Sequence, residues 1–237
     1  MNLKNKIALV TGASRGIGAA IAKRYADEGA HVILVGRTVS GLEEVDDYVK
    51  SIGGNSTIVP LDLMQHNKID ELGGIIAQRF GKLDILVGNA GMLGHLCPVS
   101  HIEPSVWEKT FSLNVTANYR LIRSFDPLLR AASAGRAIFV SSGVTKSAMP
   151  YWGAYSASKA ALEKIIEIYA AEIDKTNVRA NLLDPGMVGT DMLNQAMPGM
   201  DMNNYPKPEE ITDIFVELAK ESFKENGKIL VSSGKKK

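Results

Sequence analysis

Cysteine is all but missing, with Cys97 the single one among 237 residues. No intrachain disulfide can form and a zinc–cysteine cluster is excluded; a reducing compartment suits such a chain. His31, His66, His95 and His101 show no ligand spacing such as H-E-x-x-H, so no metal is expected. An excess of one charge is lacking too. The net charge is +1, which gives no global pull toward nucleic acid or an anionic membrane. No apolar run approaches the ~20 residues of a membrane helix. The opening MNLKNKIALVTG enters a strand without the apolar core of a signal peptide. These absences leave a cytoplasmic enzyme or binding protein as the expectation. The closing lysines, Lys235 to Lys237, read as a solvated tail.

What is present is the composition of an ordinary globular protein, 45% hydrophobic and 22% charged. Short apolar runs recur at 6–11, 31–36, 56–61, 83–88, 136–141, 178–183 and 228–233. Helix-period segments such as 17–29 and 70–81 lie between them, and two long helices are expected around 105–132 and 154–175. Strands apolar on both faces, alternating with helices, predict an α/β fold: one Rossmann-like, doubly wound parallel sheet of about seven strands in a single domain over 1–237. Two segments break the alternation, 90–104 and 184–210. Irregular segments of that length are usually functional or disordered.

TGASRGIG (11–18) follows the first strand and opens the first helix. Gly12, Gly16 and Gly18 permit a sharp turn and a close approach of phosphate to backbone, and the helix N-terminus offers free N–H groups to a pyrophosphate. Ser14, Arg15 and Ile17 complete the turn. NAD-binding folds usually carry a carboxylate about 20 residues further on, for the ribose 2′-hydroxyl. Here Gly36 and Arg37 stand at that place. Arg37 and Arg15 suit a 2′-phosphate, so NADP(H) is preferred over NAD(H), which stays possible.

The G-x-x-x-G-x-G spacing resembles the short-chain dehydrogenase/reductase family, and the later motifs sharpen the likeness. The resemblance covers Lys6 to about Thr190. It implies that Asp62 holds the adenine amino group beside Leu63, and that GNAG (88–91) matches the family's N-N-A-G at Asn89, Ala90 and Gly91, with Gly88 replacing the first Asn. It aligns Ser142, Tyr155 and Lys159 with the Ser-x12-Tyr-x3-Lys signature and Asn114 with the fourth catalytic position. Ser142 rather than Ser141 follows from the thirteen-residue step to Tyr155. Lys159 would also reach the nicotinamide ribose, and Asn114 would hold a water in a proton relay. Pro185, Gly186, Val188 and Thr190 resemble the P-G-x-x-x-T segment that touches the nicotinamide side.

The chemistry of Tyr155 and Lys159 also stands on the residues alone. They lie four apart on one helix face. A free phenol titrates near ~10. An ammonium one turn away favours the phenolate and lowers that value, toward the working range of a general acid or base. Ser142 can steady a developing oxyanion. The expectation is an NADP(H)-dependent oxidoreductase that interconverts a carbonyl and a secondary alcohol. The alternatives are a non-catalytic NADP(H) sensor or scaffold on the same fold, or a dehydratase or epimerase, for which no extra acid or base is evident near the site.

Five of nine methionines, Met187, Met192, Met197, Met200 and Met202, crowd one short segment and suggest a substrate lid at about 187–208 over a part-apolar substrate. Leu93, His95, Cys97, Met149, Trp152 and Met187 are candidate pocket walls. Many family members end in Asp-Gly-Gly and a tail used in subunit contacts; VSSGKKK stands here instead. A homodimer or homotetramer is the family-based expectation, paired through the two long helices with Leu121, Phe125 and Leu128 as surplus apolar residues.

Overall fold

A strand that is apolar along its whole length is stable only where both faces are covered, and this chain supplies helices for both. The computed structural model describes residues 1–232. β1 (Ile7–Thr11), β2 (His31–Gly36), β3 (Asn55–Pro60), β4 (Ile85–Gly88), β5 (Arg136–Val140), β6 (Arg179–Asp184) and β7 (Ile229–Val231) form one sheet in the order β3-β2-β1-β4-β5-β6-β7. Every pairing is parallel. The helices are α1 (Gly16–Asp27), α2 (Val39–Ser51), α3 (His66–Phe80), α4 (Pro104–Phe111), α5 (Ala117–Ala131), α6 (Gly153–Glu172), α7 (Asp191–Ala196) and α8 (Thr212–Ala219). This is the Rossmann-like doubly wound sheet of a single domain. The Lys235–Lys237 tail and Ser233, the last residue of the expected seventh strand, lie outside the described residues.

Strand alternation sorts the core into two layers. Ala8, Val10, Val32 and Leu34 face α1, α2 and α8, where they meet Ile21, Tyr25, Leu42, Val45 and Phe215. Leu9, Ile33 and Val35 face α3, α5 and α6, where Ile69, Leu72, Phe125, Leu162 and Ile166 lie. Burial of each large side chain contributes about 1.5–3 kcal/mol. Leu121, Phe125 and Leu128 belong to this second layer. They are therefore not surplus for a subunit interface, because the protein's own sheet consumes them. The large apolar residues that α5 and α6 do expose are Tyr119 and Ile168.

The helix expected over 105–132 is broken into α4 and α5 by a π-turn at Ser112–Thr116. The wider turn lets Asn114 face inward; such bulges are frequent at functional sites. The segment after β6 is more regular than its composition suggests. It contains α7 and 3₁₀ turns at Met202–Asn204 and Pro208–Ile211, tied back by the Gly189 N–H donating to the Pro206 carbonyl at 2.9 Å.

The connections run outward from β1 through β2 to β3, then return to β4 on the other side of β1. The crevice at the carboxyl ends of β1 and β4 is thus a topological switch point, where such sheets bind ligands.

Candidate active site

Thr11, the last residue of β1, holds the switch point together. Its hydroxyl donates to the Val87 carbonyl at 3.1 Å and accepts from the N–H groups of Asn89 (2.9 Å) and Ala90 (3.1 Å). Asn89 Nδ2 donates to the Thr11 carbonyl at 2.9 Å. The glycine turn lies directly on this brace. Gly12 has φ 66°, and a Cβ there would come within 2.9 Å of Asn89 Nδ2. A Cβ at Gly18 would run into the Gly12 carbonyl oxygen. The turn therefore needs glycine at both places, and α1 begins with its N–H groups open to the crevice.

The crevice is a cleft of about 690 Å³. Gly12, Ser14, Arg15, Gly16, Ile17, Arg37, Asp62, Leu63, Asn89, Ala90 and Gly91 line it, with Pro185, Gly186, Val188 and Thr190 on the far wall. Gly18 is buried and does not line the cleft; it serves as packing beneath the turn. At one end Arg37 and Thr38 precede α2, and Gly41 of that helix packs on the Ser14 carbonyl. This end combines a guanidinium, hydroxyls and a helix N-terminus, the donor set of an anion site. A second recess, about 400 Å³, adjoins it and shares Arg37, Leu61 and Asp62. Arg15 crosses the cleft mouth to Asp191 at 3.0 Å, with both side chains mostly exposed. A pair of that kind is worth little by itself.

Ser142, Tyr155 and Lys159 converge at the other end. Ser142 follows β5, and Tyr155 and Lys159 lie in the first two turns of α6. The Ser142 hydroxyl and the Tyr155 phenol both face the cleft, near enough for the hydroxyl to bear on the phenol's titration. Lys159 Nζ donates to the Val140 carbonyl at 2.8 Å and sits 5.8 Å from the Tyr155 ring centroid. Trp152 meets Tyr155 edge-on with ring centroids 6.0 Å apart. Ser141 turns the other way. Its hydroxyl donates to Glu163, which also accepts from Thr145 at 3.0 Å. Glu163, one turn beyond Lys159, thereby clamps both ends of the turn that carries Ser142.

The electrostatics correct one expectation. Burial pushes the Tyr155 phenol up to about 12; the neighbouring Ser142 hydroxyl pulls it down and the Asp184 charge pushes it up. Lys159 does not lower it here. The ammonium is itself fully desolvated, which brings it down to about 8 against a smaller upward pull from Glu163, and it points at the Val140 carbonyl.

Asn114 lies behind the cleft in the π-turn, fully buried. Its Oδ1 accepts from the Met92 N–H at 2.9 Å, and its Nδ2 donates to the Met92 carbonyl (2.9 Å) and the Ser158 hydroxyl (3.0 Å). The side chain is committed to protein partners and fixes the floor on which Gly91 approaches Lys159.

The chain matches the short chain dehydrogenase family over residues 6–201. The chain belongs to that family. It is 37% identical over 187 residues to the Escherichia coli K12 oxidoreductase YciK, covering 78% of this chain and 74% of that protein. An oxidoreductase of Mycobacterium tuberculosis, 35% identical, is spanned over only 56% of its length. A short chain dehydrogenase structure from Pseudomonas syringae superposes with TM-score 0.95 at 37% identity, covering 98% of this chain and 96% of that one. Another, from Escherichia coli CFT073 in complex with NADPH, gives TM-score 0.93 at 34% identity over 98% of both chains.

Within this short chain dehydrogenase, the pocket-wall expectations divide. Leu93, Met149, Trp152 and Met187 line the cleft, as do Met192 and Met197. His95 and Cys97 do not, because the Cys97 N–H pairs with the Tyr151 carbonyl and holds that segment in a bridge beside Trp152. Met200 and Met202 lie outside the lining, and Met200 Sδ instead accepts from the Tyr205 hydroxyl. Thr11, Glu163 and Asp184 escaped the sequence argument. Thr11 and Asp184 each end an apolar strand with a polar side chain, and that was the available signal. Among the described residues no helix is long and apolar enough to cross a membrane.

Proposed function

We propose that the protein is an NADP(H)-dependent oxidoreductase interconverting a ketone and a secondary alcohol, with Tyr155 as the general acid and base. The observation that carries this is the convergence of Ser142, Tyr155 and Lys159 at one end of a cleft whose other end is lined by Arg15 and Arg37. The residues fit a dinucleotide: Gly12, Ser14, Gly16 and Ile17 line the cleft where α1 begins, so the backbone of a helix N-terminus is the surface offered to a pyrophosphate. Gly12, Ser14, Arg15, Gly16 and Ile17 would hold the phosphates, Arg37 the 2′-phosphate, Asp62 and Leu63 the adenine, and Asn89, Ala90, Gly91, Pro185, Gly186, Val188 and Thr190 the nicotinamide half. The bound cofactor supplies a hydride for reduction and accepts one in oxidation.

In reduction Tyr155 gives its phenolic proton to the carbonyl oxygen while Ser142 donates a hydrogen bond to the same oxygen. In oxidation the direction of both transfers reverses. Lys159 orients the nicotinamide ribose, and its charge favours the phenolate once turned from the Val140 carbonyl. Asn114 is the fourth member, acting through the backbone it pins at Met92. Segment 187–208 closes over the substrate as a lid, supported by Met187, Met192 and Met197 lining the cleft and by α7 standing at its mouth. A cytoplasmic homodimer or homotetramer is the assembly we infer, with the exposed Tyr119 and Ile168 of α5 and α6 as contact candidates.

The test is turnover of a panel of ketones with NADPH, for the native protein and for Tyr155→Phe. Turnover that falls by about 10²–10⁴-fold in the variant, with NADPH binding kept, supports this function. NADPH binding with no turnover of any ketone or alcohol favours the sensor.

A further inference from the structure

Asp184 ends β6 just after Leu182 and Leu183, which are fully buried in the two core layers. The strand delivers its carboxylate into the cleft wall at only 7% exposure. Among the described residues that carboxylate accepts one hydrogen bond, from the Gly186 N–H to Oδ1 at 3.0 Å, and no lysine or arginine pairs with it. Oδ2 lies against Gly143, the residue next to Ser142; a Cβ at position 143 would stand 3.0 Å from it. The group therefore lies in the same cleft as Ser142 and Tyr155, against the turn that carries Ser142.

A carboxylate offers about four acceptor sites. One is taken by the Gly186 N–H, and among the described residues no carboxylate oxygen is both buried and unpartnered, so the remaining acceptor sites open onto the cleft. Protein side chains on this wall supply no further donor, and a bound substrate that displaces water there can. Glycine at 143 leaves the space the carboxylate fills.

We propose that Asp184 is a substrate-recognition residue that accepts a hydrogen bond from a donor on the carbon next to the reacting one. The preferred substrates are then α-hydroxy ketones and the corresponding vicinal diols, or their amino analogues, rather than simple ketones and alcohols. This rests on the oxidoreductase function proposed above.

The experiment compares kcat/KM for NADP⁺-dependent oxidation of trans-cyclohexane-1,2-diol, trans-2-aminocyclohexanol, trans-2-methoxycyclohexanol and cyclohexanol. The methoxy compound has similar bulk at the neighbouring carbon but no donor. The native enzyme is expected to favour the diol or the amino alcohol over the methoxy compound by at least about tenfold, the diol identifying a hydroxyl and the amino alcohol an ammonium as the donor. In Asp184→Asn, and in Asp184→Ser as a second variant, that ratio is expected to fall at least severalfold. A native ratio near one overturns the assignment whether or not either variant folds. A ratio that persists in a folded variant also overturns it, as does a variant whose only change is weaker NADPH binding, since the carboxylate would then serve the cofactor. No turnover of any of the four alcohols, or of cyclohexanone and 2-hydroxycyclohexanone with NADPH or NADH, overturns the oxidoreductase function itself and this assignment with it.

Discussion

Gly88 and Phe139 stand opposite each other in the β4–β5 register, and each is shaped to the other. A Cβ at position 88 would run into the Phe139 ring edge and lie 2.6 Å from Asn118 Oδ1. This accounts for the departure from N-N-A-G: the space an asparagine would take is filled from the next strand. Gly88→Asn is expected to destabilise the protein by about 1–3 kcal/mol through overpacking. In a Phe139→Leu background the same change should cost at least ~0.5 kcal/mol less. Urea unfolding of the four proteins of the cycle checks this; additive costs would contradict the pairing.

Lys159 is held in a state that costs stability. Its value in the fold is about 8, below the ordinary 10.5, because burial disfavours the charge. Between those values the unfolded chain keeps a proton that the folded one has released. Stability therefore rises with pH across that window, and the penalty is fully present below it. Lys159→Met should gain about 1–2 kcal/mol at neutral pH, after the Val140 carbonyl loses its donor. It should also lose the alkaline rise and nearly all turnover. Denaturant midpoints at pH 7 and pH 10, native against variant, measure both signs.

Gly18 is a packing glycine rather than a lining one. Gly18→Ala forces the Gly12 carbonyl to move and with it the turn that faces the cleft. NADPH binding should weaken by at least about tenfold even where the fold survives. Cofactor fluorescence on variant protein with native-like circular dichroism is the readout. Unchanged affinity would remove the turn from the binding site.

Two neighbours push Tyr155 in opposite directions, so their removal should split the pH profile. Beyond the effect of burial, the neighbouring Ser142 hydroxyl lowers the phenol and the Asp184 charge raises it. In alcohol oxidation Tyr155 must take a proton, so the rate climbs toward its titration. Ser142→Ala should move that limb to higher pH, and Asp184→Asn to lower pH. Profiles of kcat/KM with NADP⁺ test the pair; movement in one common direction would contradict the assignment.

Much of this was legible in the sequence, for a physical reason. Strands buried on both faces are written as unbroken apolar runs, so HVILVG marked β2 without error at either end. The Tyr155–Lys159 spacing and the glycine turn are local patterns, and both residues and turn fall in the cleft. What failed depends on packing across the fold. Leu121, Phe125 and Leu128 look like surplus until the sheet face they cover is known. The π-turn at Ser112–Thr116 has no breaker residue to announce it, and α7 is too short to establish a period. The direction of the Tyr155 shift turned on the desolvation of both partners and on Asp184, a residue 29 positions away.

The most direct measurement is a paired titration with NADPH and NADH, followed by fluorescence, of the native protein and Arg37→Ala. The expected result is NADPH bound more tightly than NADH, with the variant losing about 10–100-fold for NADPH and little for NADH. Equal or tighter binding of NADH, unaltered by the substitution, would contradict the 2′-phosphate site and the NADP(H) dependence built on it.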